Sequence, residues 1–268
     1  MLEGHWFAST LPAVAVMGFG LAALLGLVTW RLQAATSGGS VAGAAITASL
    51  IFSTSMPPYQ PWRSAILPVL AVALLAQFAT RLGRRRKERL GLAESCKGRA
   101  GSQIAANLGV AMLAATPQAQ SMLLNCEWLQ RTTSAPMPLF AVALAALAEA
   151  AADTVSSEIG QAFGGKPRLM TTLRVVEPGQ NGAISVTGTL AGMVAAAVVA
   201  ALGAWCVQGD IVLFAAAAGG GVGGLFVDSL LGATVEDRGW LNNDAVNFIS
   251  TGAAAGCAMG ILAVLAHR

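Results

Sequence analysis

PLFAVALAALAEAAADTVSS, residues 138–157, is the stretch on which the fold turns. It has the length and apolar character of a membrane span, yet it carries two carboxylates, Glu149 and Asp153. A charged group at membrane depth costs roughly 2.5–3.5 kcal/mol on insertion scales, so a chain that keeps two of them is expected to use them. Their i, i+4 spacing puts both on one helical face, and Ser157 and Gly160 continue that stripe. A polar loop rich in Gly, Pro, Lys and Arg follows at once. An acidic helix end joined to a basic loop suits a metal–phosphate site.

The rest of the chain agrees with a membrane setting. Hydrophobic residues make up 55% of the 268 and charged residues 11%, with a mean hydropathy of +0.65. That composition, with apolar runs near the length of a span, excludes an ordinary soluble domain and predicts an all-α, polytopic bundle. Apolar segments fall at about 11–30, 41–56, 65–82, 104–124, 138–157, 183–206, 211–231 and 245–266, which gives seven to eight membrane segments in one domain, 1–268. The segment 104–124, with Asn107, Gln118 and Gln120, is the weakest of them. The first run has no basic residues before it and reads as a retained span.

The net charge is only +3, but eight of the sixteen Lys and Arg lie between Arg81 and Arg99. Placing this loop, about 81–103, in the cytoplasm and alternating eight spans gives thirteen basic residues on that side. Three, Arg63, Arg131 and Arg268, fall on the other. This satisfies the positive-inside rule and brings the loops 158–182 and 232–244 to the cytoplasmic face. Aromatic residues do not interleave the basic run, so no nucleic-acid partner is expected. Cys96, Cys126, Cys206 and Cys257 are scattered, and His5 and His267 are terminal, so neither zinc nor a disulfide framework is indicated.

Two constellations carry candidate chemistry. In residues 148–189, Asp153 and Glu149 are candidates to hold Mg²⁺, which takes one or two carboxylates with phosphate oxygens and water. Glu158 is a further candidate facing the loop. Lys166, Arg168 and Arg174 suit phosphate, Thr171 and Thr172 offer hydroxyls, and Gly179, Asn181 and Gly182 precede a helix N-terminus able to present N–H groups to an anion. The alternative is a carboxylate pair lining a transport path. In residues 226–251, Asp228 is another carboxylate near a span end, and Asn243 and Asn247 share a face. Asn243 or Asp244 also reads as a plain helix cap, and Glu236, Asp237 and Arg238 as a solvated turn. AAAAGGGVGG, 215–224, lacks the Lys-Ser/Thr of a phosphate loop and reads as helix packing. Asn107 reads first as an interhelical amide and is also a candidate for substrate or nucleotide binding.

At these residues the chain resembles a known family. ADTVSSEIG (152–160), PRLMTT (167–172), EPGQNGAISVTG (177–188), VDSLLGAT (227–234) and LNNDAVNFIS (241–250) are similar to strings of the integral-membrane family that includes phytyl-phosphate kinase of the vitamin E route. SGGSVAGA (37–44) and KERLGLAESCKGRAGSQIAANLG (87–109) fit it too. More distantly, 153–182 resembles dolichol kinase and other CTP-dependent lipid kinases, through Asp153, Gly160, Gly164, Lys166, Thr171, Thr172 and Glu177. The chain departs from these patterns in having Glu177-Pro178-Gly179 for an adjacent Glu-Gly, Gln180 for a small hydroxyl residue and Ala183 for Gly.

The resemblance implies Mg²⁺-dependent transfer of a phosphoryl group from a nucleoside triphosphate, CTP first, to a prenyl monophosphate, with the lipid bilayer as the setting. It points to Asp153 and Asp228 as metal-linked with Glu149 or Glu158 assisting, to Lys166, Arg168 and Arg174 on phosphates, and to Asn181, Asn243 and Asn247 orienting nucleotide or substrate. A transporter or flippase of a phosphorylated lipid and a cytidylyltransferase are the competing readings. Oligomeric state, homodimer included, is left open.

Overall fold

The structure is a computed structural model, and it describes residues 11–55, 59–93, 98–125, 140–209 and 211–266. Cys96, Cys126, His5, His267, Arg131 and Arg268 lie outside the described residues. The long helices are α1 (Leu11–Arg31), α2 (Ser37–Thr54), α3 (Ile66–Arg81), α5 (Gly101–Ala115), α7 (Phe140–Phe163), α8 (Val186–Cys206), α9 (Ile211–Leu231) and α10 (Asn243–Ala266). The described residues also include short helices α4 (Arg84–Arg89) and α6 (Pro117–Leu124) and a two-stranded ribbon. Five helices, α1 and α7 to α10, are long and apolar enough to cross a membrane, whereas α3 and α5 are shorter apolar helices.

The segment expected at 104–124 is not one helix. It breaks at Thr116-Pro117, where Pro117 opens α6 and the Thr116 hydroxyl accepts from Ala119 N at 3.3 Å. Proline lacks the N–H that would continue α5, and it suits the first position of a new helix. The segment expected from 183 begins as a helix only at Val186, because Ala183–Ile184 pair with Arg168–Leu169 as an antiparallel ribbon. Ser185 caps α8 by accepting from Gly188 N at 3.1 Å.

Helix α7, which carries the opening stretch, is the axis of the bundle. It packs against α3, α5, α8, α9 and α10 and is buried along almost all of its apolar length. Its alanine-rich sequence suits enclosure on all sides, because small residues let the neighbouring helices approach closely. A Cβ at Gly188 would lie 2.5 Å from Ser156 O, one at Gly192 2.8 Å from Ala152 O, and one at Gly221 2.7 Å from the Ala148 Cβ. The glycine run of α9 is therefore a packing face within a helix, as its sequence context suggests.

The connections after α1, α3, α7 and α9 gather at one end. Thr36 N donates to Arg99 O at 3.0 Å, joining two of them. Gly182, with φ of +67°, sits so close to the turn after α9 that a Cβ would lie 2.2 Å from Ala233 N. Only glycine meets both the left-handed backbone and that approach. At the other end Arg63 donates to Trp205 O at 3.4 Å. The helices therefore run alternately up and down, and the basic run, Lys166, Arg168, Arg174 and Arg238 share the first end.

Candidate active site at the basic end

A cavity of about 350 Å³ opens at this end, between α5, α7, the start of α8, α9 and α10. Its wall is polar. Asp153 comes from α7 and Asp228 from α9, and both line the cavity. Arg99, two residues before α5, lines the same cavity, and its Nη1 donates at 3.4 Å to Oγ1 of Thr154, the residue after Asp153 on α7. Asn107, Asn243 and Asn247 line the same space.

Asn247 is buried, and its amide is oriented by its neighbours. With the nitrogen turned toward acceptors, it donates to Asp228 Oδ2 at 3.3 Å and to Asn243 O at 3.3 Å, while the Asn107 amide lies 3.1 Å from its oxygen. The helix cap of α10 is supplied by Asn242, whose Oδ1 accepts from Ala245 N at 2.9 Å. That corrects the reading of Asn243 or Asp244 as the cap and leaves Asn243 facing the cavity. Past α9 the backbone forms a π-helical turn, Gly232–Glu236. A π turn adds a residue to the helical circuit and is common beside functional sites. Here it brings Glu236 to the cavity wall, where the sequence suggested a solvated turn.

The other two carboxylates of α7 are held differently. Glu149 is 1% exposed; its Oε1 accepts from Ser250 Oγ at 2.7 Å, and among the described residues its Oε2 is the buried side-chain polar atom without a partner. Glu158 reaches the cavity wall but is engaged from behind. It accepts from Thr80 Oγ1 at 3.0 Å and forms an ion pair with Lys87 of α4. Lys87 is itself 1% exposed, and its Nζ also donates to Ala79 O at 3.0 Å and Thr80 O at 2.8 Å. All three ammonium donors are thus used, as a buried lysine requires.

The structure gathers Asp153, Asp228, Glu158, Asn107, Asn243, Asn247, Gly179, Asn181 and Gly182 around one space. Lys166, Arg168, Arg174, Thr171, Thr172 and Glu177 are exposed on the ribbon and its loop, outside the cavity lining. Arg168 Nη1 donates to Leu173 O at 2.7 Å, holding that loop's shape. The cation at the inner wall is instead Arg99. Sequence reasoning placed Arg99 and Lys87 in a topogenic loop, although the family-like string 87–109 contains both.

The residues present fit Mg²⁺. Among the described residues no three Asp, Glu, His or Cys converge as a protein-only metal cage. Mg²⁺ needs only one or two carboxylates beside phosphate and water oxygens, and Asp153 and Asp228 supply two in an open polar cavity.

A family model described as integral membrane protein DUF92 matches residues 20–255. Over 108 residues the chain is 44% identical to uncharacterized membrane protein MJ0933 of Methanocaldococcus jannaschii, covering 40% of this chain and 45% of that protein. It is 32% identical over 209 residues to uncharacterized membrane protein sll0875 of Synechocystis, covering 75% and 74%. It is also 32% identical over 206 residues to Protein VTE6, chloroplastic, of Arabidopsis thaliana, covering 70% of this chain and 57% of that one. The matched stretch thus spans under half of the M. jannaschii protein. No solved structure matches the chain.

Proposed function

The chain belongs to the DUF92 family of integral membrane proteins, and on that premise we propose that it is a prenyl-phosphate kinase. It moves the terminal phosphoryl group of a nucleoside triphosphate, CTP first among donors, onto a polyisoprenyl monophosphate such as phytyl phosphate. The observation that carries this reading is the pair Asp153 and Asp228, brought from two helices to one polar cavity with Arg99 on its wall. The motif resemblance to the family that includes phytyl-phosphate kinase, and the 32% identity to Protein VTE6, support the same reading.

Phosphoryl transfer is mostly positioning and charge neutralisation. An oxygen of the acceptor phosphate bonds the donor's γ-phosphorus, the bond from that phosphorus to the β–γ bridging oxygen breaks, and the nucleoside diphosphate leaves. The acceptor is already an anion, so no strong general base is needed. Asp153 and Asp228 would hold Mg²⁺, which supplies charge neutralisation on the phosphates when bound. Glu149 braces the pair from one turn deeper, and Glu158 is kept in place by Lys87. Arg99 faces the transferring group. Asn107, Asn243 and Asn247 orient the substrate, and the Gly179–Gly182 turn approaches it through backbone N–H groups. Lys166, Arg168 and Arg174, with Thr171, Thr172 and Glu177, form an outer rim that draws in the triphosphate.

In this reading the five long helices and the shorter α2, α3 and α5 make seven to eight membrane segments of a single domain. The basic end faces the cytoplasm, where nucleotides are, and the prenyl tail lies among the helices or in the bilayer. The test is the purified protein with Mg²⁺, CTP or ATP, and phytyl or farnesyl phosphate. Prenyl diphosphate and nucleoside diphosphate are the expected products. Pyrophosphate release would mark a cytidylyltransferase, and no transfer with any donor or chain would sink the kinase reading.

A further inference from the structure

Five arginines, Arg81, Arg84, Arg85, Arg86 and Arg89, line a second groove of about 650 Å³ beside the last turn of α7, with Phe163 on its wall. None of them lines the cavity that holds Asp153. The groove's one carboxylate, Glu88, takes Arg84 Nε at 2.9 Å, so five guanidinium groups against one carboxylate leave it strongly positive. A net positive loop needs no fixed shape to set membrane topology. This one has a shape. Lys87, in the middle of α4, is buried under the helix and held by Ala79 O, Thr80 O and Glu158, which locks the arginines around it in place.

The depth of the groove is also defined. Leu74, Phe78 and Arg81 follow one another at i, i+4 and i+7 on α3, and Leu74 and Phe78 are 67% and 64% exposed. An exposed apolar stripe that ends in arginine marks the level where acyl chains give way to headgroups. Guanidinium groups suit phosphate oxygens because their forked donors bind two oxygens at once.

We propose that this groove binds the phosphate of an anionic phospholipid, with the arginines of α4 on the headgroup and an acyl chain along Leu74 and Phe78. The occupant is a membrane lipid and not a free phosphate, because the cationic groove continues directly into a lipid-facing apolar stripe. This site is independent of the kinase reading.

The test uses the full chain, purified in neutral detergent, with native mass spectrometry of retained phosphatidylglycerol against phosphatidylcholine. The wild type is expected to retain phosphatidylglycerol at least about tenfold better. In Arg85→Gln/Arg86→Gln/Arg89→Gln, whose three sites are exposed, affinity for phosphatidylglycerol should fall by about fivefold per arginine, enough to bring retention of the two lipids to within about twofold of each other. Equal retention of the two lipids by the wild type overturns the proposal without reference to any variant. So does an unchanged preference in the triple variant. Displacement of the lipid by millimolar inorganic phosphate or CTP as effectively as by phosphatidylglycerol vesicles would assign the groove to a free phosphate and also overturn it.

Discussion

Replacing Lys87 by methionine should cost far more stability than its position in a run of surface arginines suggests. The ammonium is 1% exposed and satisfies Glu158, Ala79 O and Thr80 O together. Methionine keeps the length and packing of the stem and removes every one of those bonds. Glu158, 9% exposed, is then left with Thr80 Oγ1 as its donor. Breaking a buried ion pair by removing one partner costs about 3–5 kcal/mol, and each carbonyl that loses its donor adds about 1 kcal/mol. Lys87→Met is therefore placed at about 5–7 kcal/mol, and Glu158→Gln at about 3 kcal/mol. The double variant leaves no buried charge uncompensated, so its loss should fall short of the additive sum by at least about 2 kcal/mol. Equilibrium unfolding in mixed micelles, followed by far-UV circular dichroism, measures all three. Additive losses, or a Lys87→Met variant within about 1 kcal/mol of wild type, would refute the pairing.

Asp153→Asn and Asp228→Asn should each abolish phosphoryl transfer with unfolding midpoints unchanged, and retained turnover in either would remove that residue from the metal role. Arg99→Gln should lower kcat about 100-fold or more, as loss of a charge donor at the transferring group does. Arg174→Gln should act chiefly on KM and its salt dependence, as a rim charge does. Initial rates at two ionic strengths separate the two arginines. Gly188→Leu should destabilise by about 1–3 kcal/mol or more through overpacking, since even a Cβ meets Ser156 O at 2.5 Å. Gly256→Leu, with nothing within 4 Å, should be neutral in the same melts.

Helical periodicity and hydropathy made the eight helices legible, because each apolar run is long enough to declare itself without its neighbours. Two misread boundaries lie where local chemistry acts over one or two residues, at Pro117 and at the Arg168–Ile184 ribbon, and a third is the end of α7, which runs to Phe163 and makes the first six residues of the expected loop 158–182 helical. At the site, Asp153, Asp228 and Asn247 stood out because a polar group inside an apolar run is anomalous by itself. Lys87 and Arg99 did not stand out, since each is one cation among eight in a basic stretch. Burial, which separates Lys87 from Arg86 and Glu88 beside it, is a property of the packed chain. Glu236 had no such signal either; a π turn brought it to the wall.

The sequence by itself determined that this is a helical membrane protein, where most of its long helices lie, and which carboxylates and amides sit anomalously in apolar runs, because those are sums over short stretches of chain. Only the tertiary structure decided that α7 is the axis, that Asp153 meets Asp228 across 75 residues of sequence, and that Arg99 and not Arg174 stands beside them. Those choices depend on which small-residue faces fit together. Close packing is a relation between distant segments that no single segment encodes.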